Sequence, residues 1–230
     1  MATSKNAQAW TAWSGSKADH DATVTLTAGT NRKLIVMVGV ESATSVFDSV
    51  TFDQGGGDQA AMNAVAGGGT PSRINDVLGA LYEYDIPDGV GTGSKTIRTT
   101  LGTANSGTGY TIIWVVNGGA TGALEDVDSV ANASQTNLAV VLTNASTSYV
   151  GAGIINGAAS PTYSWTGGDL TEWFDDQAGS AGASAADATG TANADCDVVK
   201  SVSSNDSVLI GWAVAEAATS SAVASISQQH

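Results

Sequence analysis

Carboxylates are the one chemically capable side chain this 230-residue sequence holds in quantity: 22 Asp and Glu against eight Lys and Arg and two His. A glycosidase needs two carboxylates about 5–10 Å apart. Glu83 and Asp85, alternate residues of one apolar stretch, would share a strand face at such a spacing. A second group, Asp169, Glu172, Asp175 and Asp176, crowds one segment beside Trp165 and Trp173. Acids set among aromatic rings can hold a sugar, and hard oxygen ligands can hold calcium. The spacing from Asp169 to Asp176 does not match an EF-hand loop. The plainer reading of both groups is solvated acids on an acidic protein.

Other reaction chemistry lacks its parts. Nucleophilic triads and dyads need a histidine, and the chain has His20, between Asp19 and Asp21, and His230, its last residue. Neither is expected on a rigid element, and a catalytic group must be held to within about 0.5 Å. One cysteine, Cys196, allows no internal disulfide and no Cys/His zinc site of four ligands. Gly55-Gly56-Gly57 and Gly67-Gly68-Gly69 lack the Lys-Ser or Lys-Thr of a phosphate loop, and Gly151-Ala152-Gly153 sits inside a strand pattern. The expectation is a protein that is not an enzyme and needs no cofactor or metal.

The formal charge of −14 excludes another class of partner. Nucleic-acid binding depends on clustered Lys and Arg, and the eight basic residues here are scattered. Neither nucleic acid nor an anionic membrane is expected as partner. Met1 to Asn6 does not open like a signal peptide, so synthesis in a reducing cytoplasm is expected.

The elements that must position these groups read as strands. Leu34-Ile35-Val36-Met37-Val38-Gly39-Val40 is apolar on both alternating faces, as are Ile112 to Val116 and Val208 to Trp212. Each has the length of one strand and predicts a central strand covered on both sides. Thr23 to Thr27, Val46 to Phe52, Val77 to Ile86, Lys95 to Leu101, Asn137 to Leu142, Ser148 to Ile155 and Thr162 to Thr166 continue the series. Pro87-Asp88-Gly89 and Asn117-Gly118 are turn signals. Asp58 to Ala66 could form a short capped helix, residues 176–197 read as a long surface loop, and Ser220 to Gln229 could add an edge strand. Charged residues make up 13% of the chain, about half the usual share, which starves exposed helices of their better formers. No fixed-period repeat is evident. The pattern predicts an all-β, antiparallel, jelly-roll-like β-sandwich: an extended N-terminal arm over 1–20 and a single sandwich domain over 21–230. Trp114 and Trp212 belong to its core. Trp10 and Trp13 lie in the arm with no alternating pattern, and serve either a partner or a fold-back onto the sandwich. With Trp165 and Trp173 they are the candidate partner-binding residues.

Leu34 to Glu41, Val50-Thr51-Phe52-Asp53, Leu81-Tyr82-Glu83-Tyr84 and Trp212-Ala213 together resemble jelly-roll domains of tailed-phage virion proteins, which also have counterparts on bacterial surfaces. The resemblance spans most of residues 22–216. It implies a structural role in a virion: a capsid decoration (cement) protein, or a head or tail fibre component. Its partners would be the major capsid protein or another virion protein, and it would assemble as a homo-oligomer, a trimer by expectation. A carbohydrate- or receptor-binding module is the alternative, with a glycan as ligand.

Overall fold

The strand Arg32–Glu41, β3, shows how the chain is layered. Leu34, Val36 and Val38 point into one core and Ile35 and Met37 into another, all fully buried. A strand with two dry faces must lie in a sheet with neighbours above and below. The computed structural model describes residues 2–15, 17–67, 71–105, 107–157, 161–167, 169–201 and 205–218. His230, the middle of the second glycine loop and the 220–229 tail lie outside them.

The first ten strands are β1 (Ser4–Ser14), β2 (Lys17–Leu26), β3 (Arg32–Glu41), β4 (Phe47–Phe52), β5 (Ala60–Ala61), β6 (Asn63–Ala64), β7 (Ser72–Ile74), β8 (Val77–Ile86), β9 (Gly93–Asn105) and β10 (Thr108–Asn117). Eight more follow: β11 (Asp126–Asn132), β12 (Asn137–Val141), β13 (Tyr149–Asn156), β14 (Tyr163–Trp165), β15 (Thr171–Ala178), β16 (Ala181–Thr189), β17 (Asp195–Lys200) and β18 (Ser207–Val214). Every pairing is antiparallel, and no helix occurs among the described residues.

One topology is used twice. The first roll has an inner sheet ordered β1-β10-β3-β8-β6, with β7 also on β8, and an outer sheet ordered β2-β9-β4-β5. The second roll repeats it: β11-β18-β13-β16-β15 inside and β12-β17-β14 outside. In each, the first four strands alternate between the two sheets, and the last strand returns beside the first. That is the double Greek-key winding of a jelly roll.

The four sheets stack in the order outer, inner, inner, outer, enclosing three main cores. Leu34, Val36, Val38, Phe52, Ile97 and Val115 fill the first roll. Leu138, Val140, Tyr163, Cys196, Val198 and Leu209 fill the second. The third lies between the rolls, where Met37, Tyr110, Ile112 and Trp114 meet Tyr149, Ile155, Ala183, Ile210 and Trp212.

The all-β, antiparallel, jelly-roll-like sandwich expected from the sequence is what forms, and it forms twice. The extended arm expected over 1–20 does not: residues 4–14 are β1, paired along their length with β10, and residues 17–20 open β2. The helix expected over Asp58 to Ala66 is replaced by the two-residue strands β5 and β6. The Asp58 carboxylate binds Lys95 at 2.7 Å rather than capping a helix. The loop expected over 176–197 is strand for most of its length, with residues 181–187 buried.

Candidate functional site

The sequence's candidate residues meet three fates. Glu83 and Asp85 do share a strand, but they close on a common cation. Lys33, on the neighbouring β3, places its ammonium 3.2 Å from Glu83 and 2.7 Å from Asp85, with 2% of its side chain exposed. The Gly122 N–H donates to the other Asp85 oxygen at 2.7 Å. Both acids thus neutralise a buried lysine. His20 is equally engaged. Its ring stacks on Trp13 at 3.8 Å, and burial holds its pKa below the usual value.

The four tryptophans divide. Trp13 is buried and donates its indole N–H to Thr111 Oγ1 at 3.3 Å. Trp165 packs against the second roll's core and donates to Ser184 Oγ at 2.9 Å. Trp10 and Trp173 converge on the seam between the rolls. Trp10 is 39% exposed and stacks on Phe174 at 5.1 Å and 11°. Trp173 meets Phe174 at 4.9 Å and the edge of Trp114 at 5.9 Å. A bulge in β15 sets this up. Glu172 pairs Ala186 and Phe174 pairs Ala185, so Trp173 is the extra residue. Bulges re-aim a side chain in this way, and here two successive aromatic residues both reach the seam.

The acids of the 169–176 segment serve the sheet edge. β15 is the last strand of its sheet, and an exposed strand edge invites pairing with another chain unless charge blunts it. Glu172, Asp175 and Asp176 supply that charge. Burial and the neighbouring Asp175 push the Glu172 carboxyl above its usual range. Asp176 accepts from the Tyr110 hydroxyl at 3.3 Å, and Asp169 from the Asp195 N–H at 3.0 Å. Among the described residues no group of three His, Cys, Asp or Glu is placed to hold a metal ion.

What the sequence did not reveal is a cleft of about 630 Å³ where the start of β1 approaches the second roll. Lys5, Tyr149, Asp169, Glu172, Trp173 and Asp187 line it. Its size falls within the roughly 300–1,000 Å³ of small-ligand sites. Asp187, on β16, is 9% exposed; its Oδ1 lies 3.9 Å from the Lys5 ammonium and its Oδ2 has no hydrogen-bond partner. Burial raises its pKa against the opposing pull of Lys5. The Tyr149 phenol, buried beside this carboxylate, is pushed up as well. No sequence signal marked Asp187, because it sits in the small-residue stretch that reads as loop.

No family model matches the chain, and no curated protein does. Among solved structures, the atomic structure of Sulfolobus Turreted Icosahedral Virus matches with 10% identity and a TM-score of 0.29, over 90% of this chain and 58% of that one. The crystal structure of the STIV MCP matches with 10% identity and a TM-score of 0.28, over 94% and 96%. A structure described as the triple jelly roll fold and turret assembly in an archaeal virus matches with 10% identity and a TM-score of 0.30, over 89% and 57%. The chain thus spans somewhat over half of two of these neighbours and nearly all of the third. The likeness is loose, and the fold assignment rests on the strand order given above.

Proposed function

We propose that this chain is a non-enzymatic structural protein of a virion, a decoration (cement) protein that attaches to the outside of a phage head as an oligomer. The observation that carries the reading is the pair of jelly rolls sharing one dry core. Jelly rolls recur in viral capsid and lectin domains, and a fold alone does not fix a function. Here the fold is joined by a site argument: the groups that could have done chemistry are held in structural contacts. Lys33 occupies Glu83 and Asp85, Trp13 covers His20, and the second roll buries Cys196. Burial, with Asp197 and Asp195 close by, pushes the Cys196 thiol up to about 12, so it stays protonated and inert.

The surface left for attachment is polar. Trp10, Val46 and Val141 are the large apolar side chains exposed among the described residues. An apolar strand face is therefore not free to act as subunit seam. A stable contact would bury about 1,200–2,000 Å² in total, with Trp10 its aromatic anchor and acidic and hydroxyl side chains its rim. The partner would be the major capsid protein or another virion protein. Sedimentation of the purified protein should give a mass near three times the 22.9 kDa chain. Immunogold labelling of particles from the source culture should decorate intact heads, and Trp10→Ala should weaken the decoration. Label found only in the soluble fraction would rule the reading out.

A further inference from the structure

We infer that the cleft between the rolls is a binding site for a neutral sugar, an activity separate from attachment to a particle. A cation would meet Asp169, Glu172 and Asp187 but also the Lys5 ammonium; an anion would meet three carboxylates. A neutral polyol suits a wall that carries donors and acceptors side by side, because each hydroxyl both gives and takes a hydrogen bond. Thr171 and Thr189 extend that mixed wall.

Two polar atoms are left waiting. The Asp187 Oδ2 acceptor and the Trp173 Nε1–H donor are both buried without a well-formed hydrogen bond, with the Tyr149 hydroxyl beside the carboxylate. Buried polar groups are nearly always satisfied, so each such exception calls for an explanation. Lys5, with 49% of its side chain exposed, stands 3.9 Å from Asp187, at the long limit of an ion pair. A sugar hydroxyl entering there can bridge ammonium and carboxylate. The apolar face of a pyranose matches the Trp173 indole, which lines this wall. The site also spans both rolls, with Thr3, Ser4 and Lys5 from the first and the rest from the second, so it exists only while the seam is closed.

The test is a glycan array read with the intact chain, carrying neutral, sialylated and sulfated oligosaccharides. Calorimetric titration should follow, using the best neutral glycan and, separately, spermidine. Neutral glycans should be retained, while spermidine and the acidic glycans should not bind. Asp187→Asn and Lys5→Ala should each weaken the neutral glycan about tenfold or more, the effect of losing a hydrogen bond to a charged group. Both replace a side chain without altering backbone pairing, and an unchanged near-ultraviolet circular dichroism spectrum would show the fold intact. Trp173→Phe keeps the ring packing and removes the N–H, and should weaken binding less. Retention of acidic glycans alone, binding of spermidine alone, no retained glycan, or neutral binding indifferent to both Asp187→Asn and Lys5→Ala would overturn the inference.

Discussion

The two rolls repeat one strand order in opposite materials. The first roll's inner sheet is built of bulk: Ile35, Met37, Leu81, Ile112 and Trp114 face the seam. The second roll's inner sheet answers with hollows on β13 and β16, beside bulk of its own on β18 in Val208, Ile210 and Trp212. Gly151 and Gly153 on β13 and Ala181, Ala183 and Ala185 on β16 leave room for what faces them. A Cβ at Gly153 would meet the Met37 sulfur of the first roll at 2.6 Å, whereas Gly151 makes room within its own sheet, for the Trp212 ring on β18, at 2.3 Å. The relation reverses where Gly39 and Gly79 of the first roll receive Ile155 and Val208 of the second. Cores pack to the density of organic crystals, so large side chains on one sheet require small ones opposite. The two copies therefore diverge in sequence because they fit each other. Complementarity, with no self-similarity left in the residues, is what a repeat looks like when its copies form a single core.

The hollows of the second roll are open to attack at Gly151. Trp212 is fully buried and fills the space above Gly151. Trp212→Ala should cost about 3–5 kcal/mol in denaturant unfolding, the usual loss for emptying a large aromatic site. Gly151→Ala should cost about 1–3 kcal/mol by overpacking, and less in a Trp212→Leu background, since the two residues share one space. Equal costs in both backgrounds would show that the Trp212 ring is not what keeps position 151 a glycine. By comparison Gly91, where an added Cβ meets nothing within 4 Å, should accept alanine with little change.

Next in size is the charge buried at the first roll's end of the seam. Lys33→Met strands Glu83 and Asp85 without their cation. Breaking a buried ion pair costs about 3–5 kcal/mol, and the partial exposure of Asp85 puts the expected loss at the lower end. Unfolding at low and high salt checks it: a loss that salt does not relieve belongs to the buried part. A glycosidase reading of Glu83 and Asp85 would predict the opposite pattern, little stability lost and an activity removed.

The smallest expected effect is a pH dependence across the seam. Asp76, in the first roll, and Asp206, in the second, face each other near Glu41, and the Asn75 amide donates to Asp206 at 2.9 Å. Burial first, and then Asp206, push the Asp76 carboxyl above its usual range. A carboxyl raised in the folded state contributes stability that is complete below the unfolded value of about 4. It is lost as pH rises through the folded value. Melting temperature should therefore fall as pH is raised from about 4 towards neutrality, and Asp76→Asn should flatten that fall. Asp21 works in the other direction. The Arg98 hydrogen bonds hold its carboxyl low, so its contribution is lost as pH drops. A flat profile above pH 4 in the wild type would remove the Asp76–Asp206 pair from the account.

What could be read from the sequence follows the same division of materials. The two-faced apolar runs in β3, β10 and β18 declared their burial, down to which residues share each face. They also carried a message about layering: a two-sheet sandwich has no strand with two dry faces, so three such runs require a stack deeper than two sheets. β16 was illegible because Ala, Gly, Ser and Asp spell a loop in isolation and become a strand only against the bulk of the facing sheet. β1 was missed for a related reason. Its edge position leaves Ala7, Ala9 and Ala12 half-buried, with no strong alternation. The cleft was hidden because its walls come from residues 3–5, 149, 169–173 and 187–189, far apart in the chain and joined only by the seam.

A protein that works by shape must hold that shape as one body, and differential scanning calorimetry tests this most directly. If the shared core makes the rolls inseparable, the intact chain will unfold in one transition, with calorimetric and van't Hoff enthalpies equal. Two resolved transitions, one for residues 4–117 and one for residues 126–214, would show that the seam is a contact between independent rolls and contradict the account.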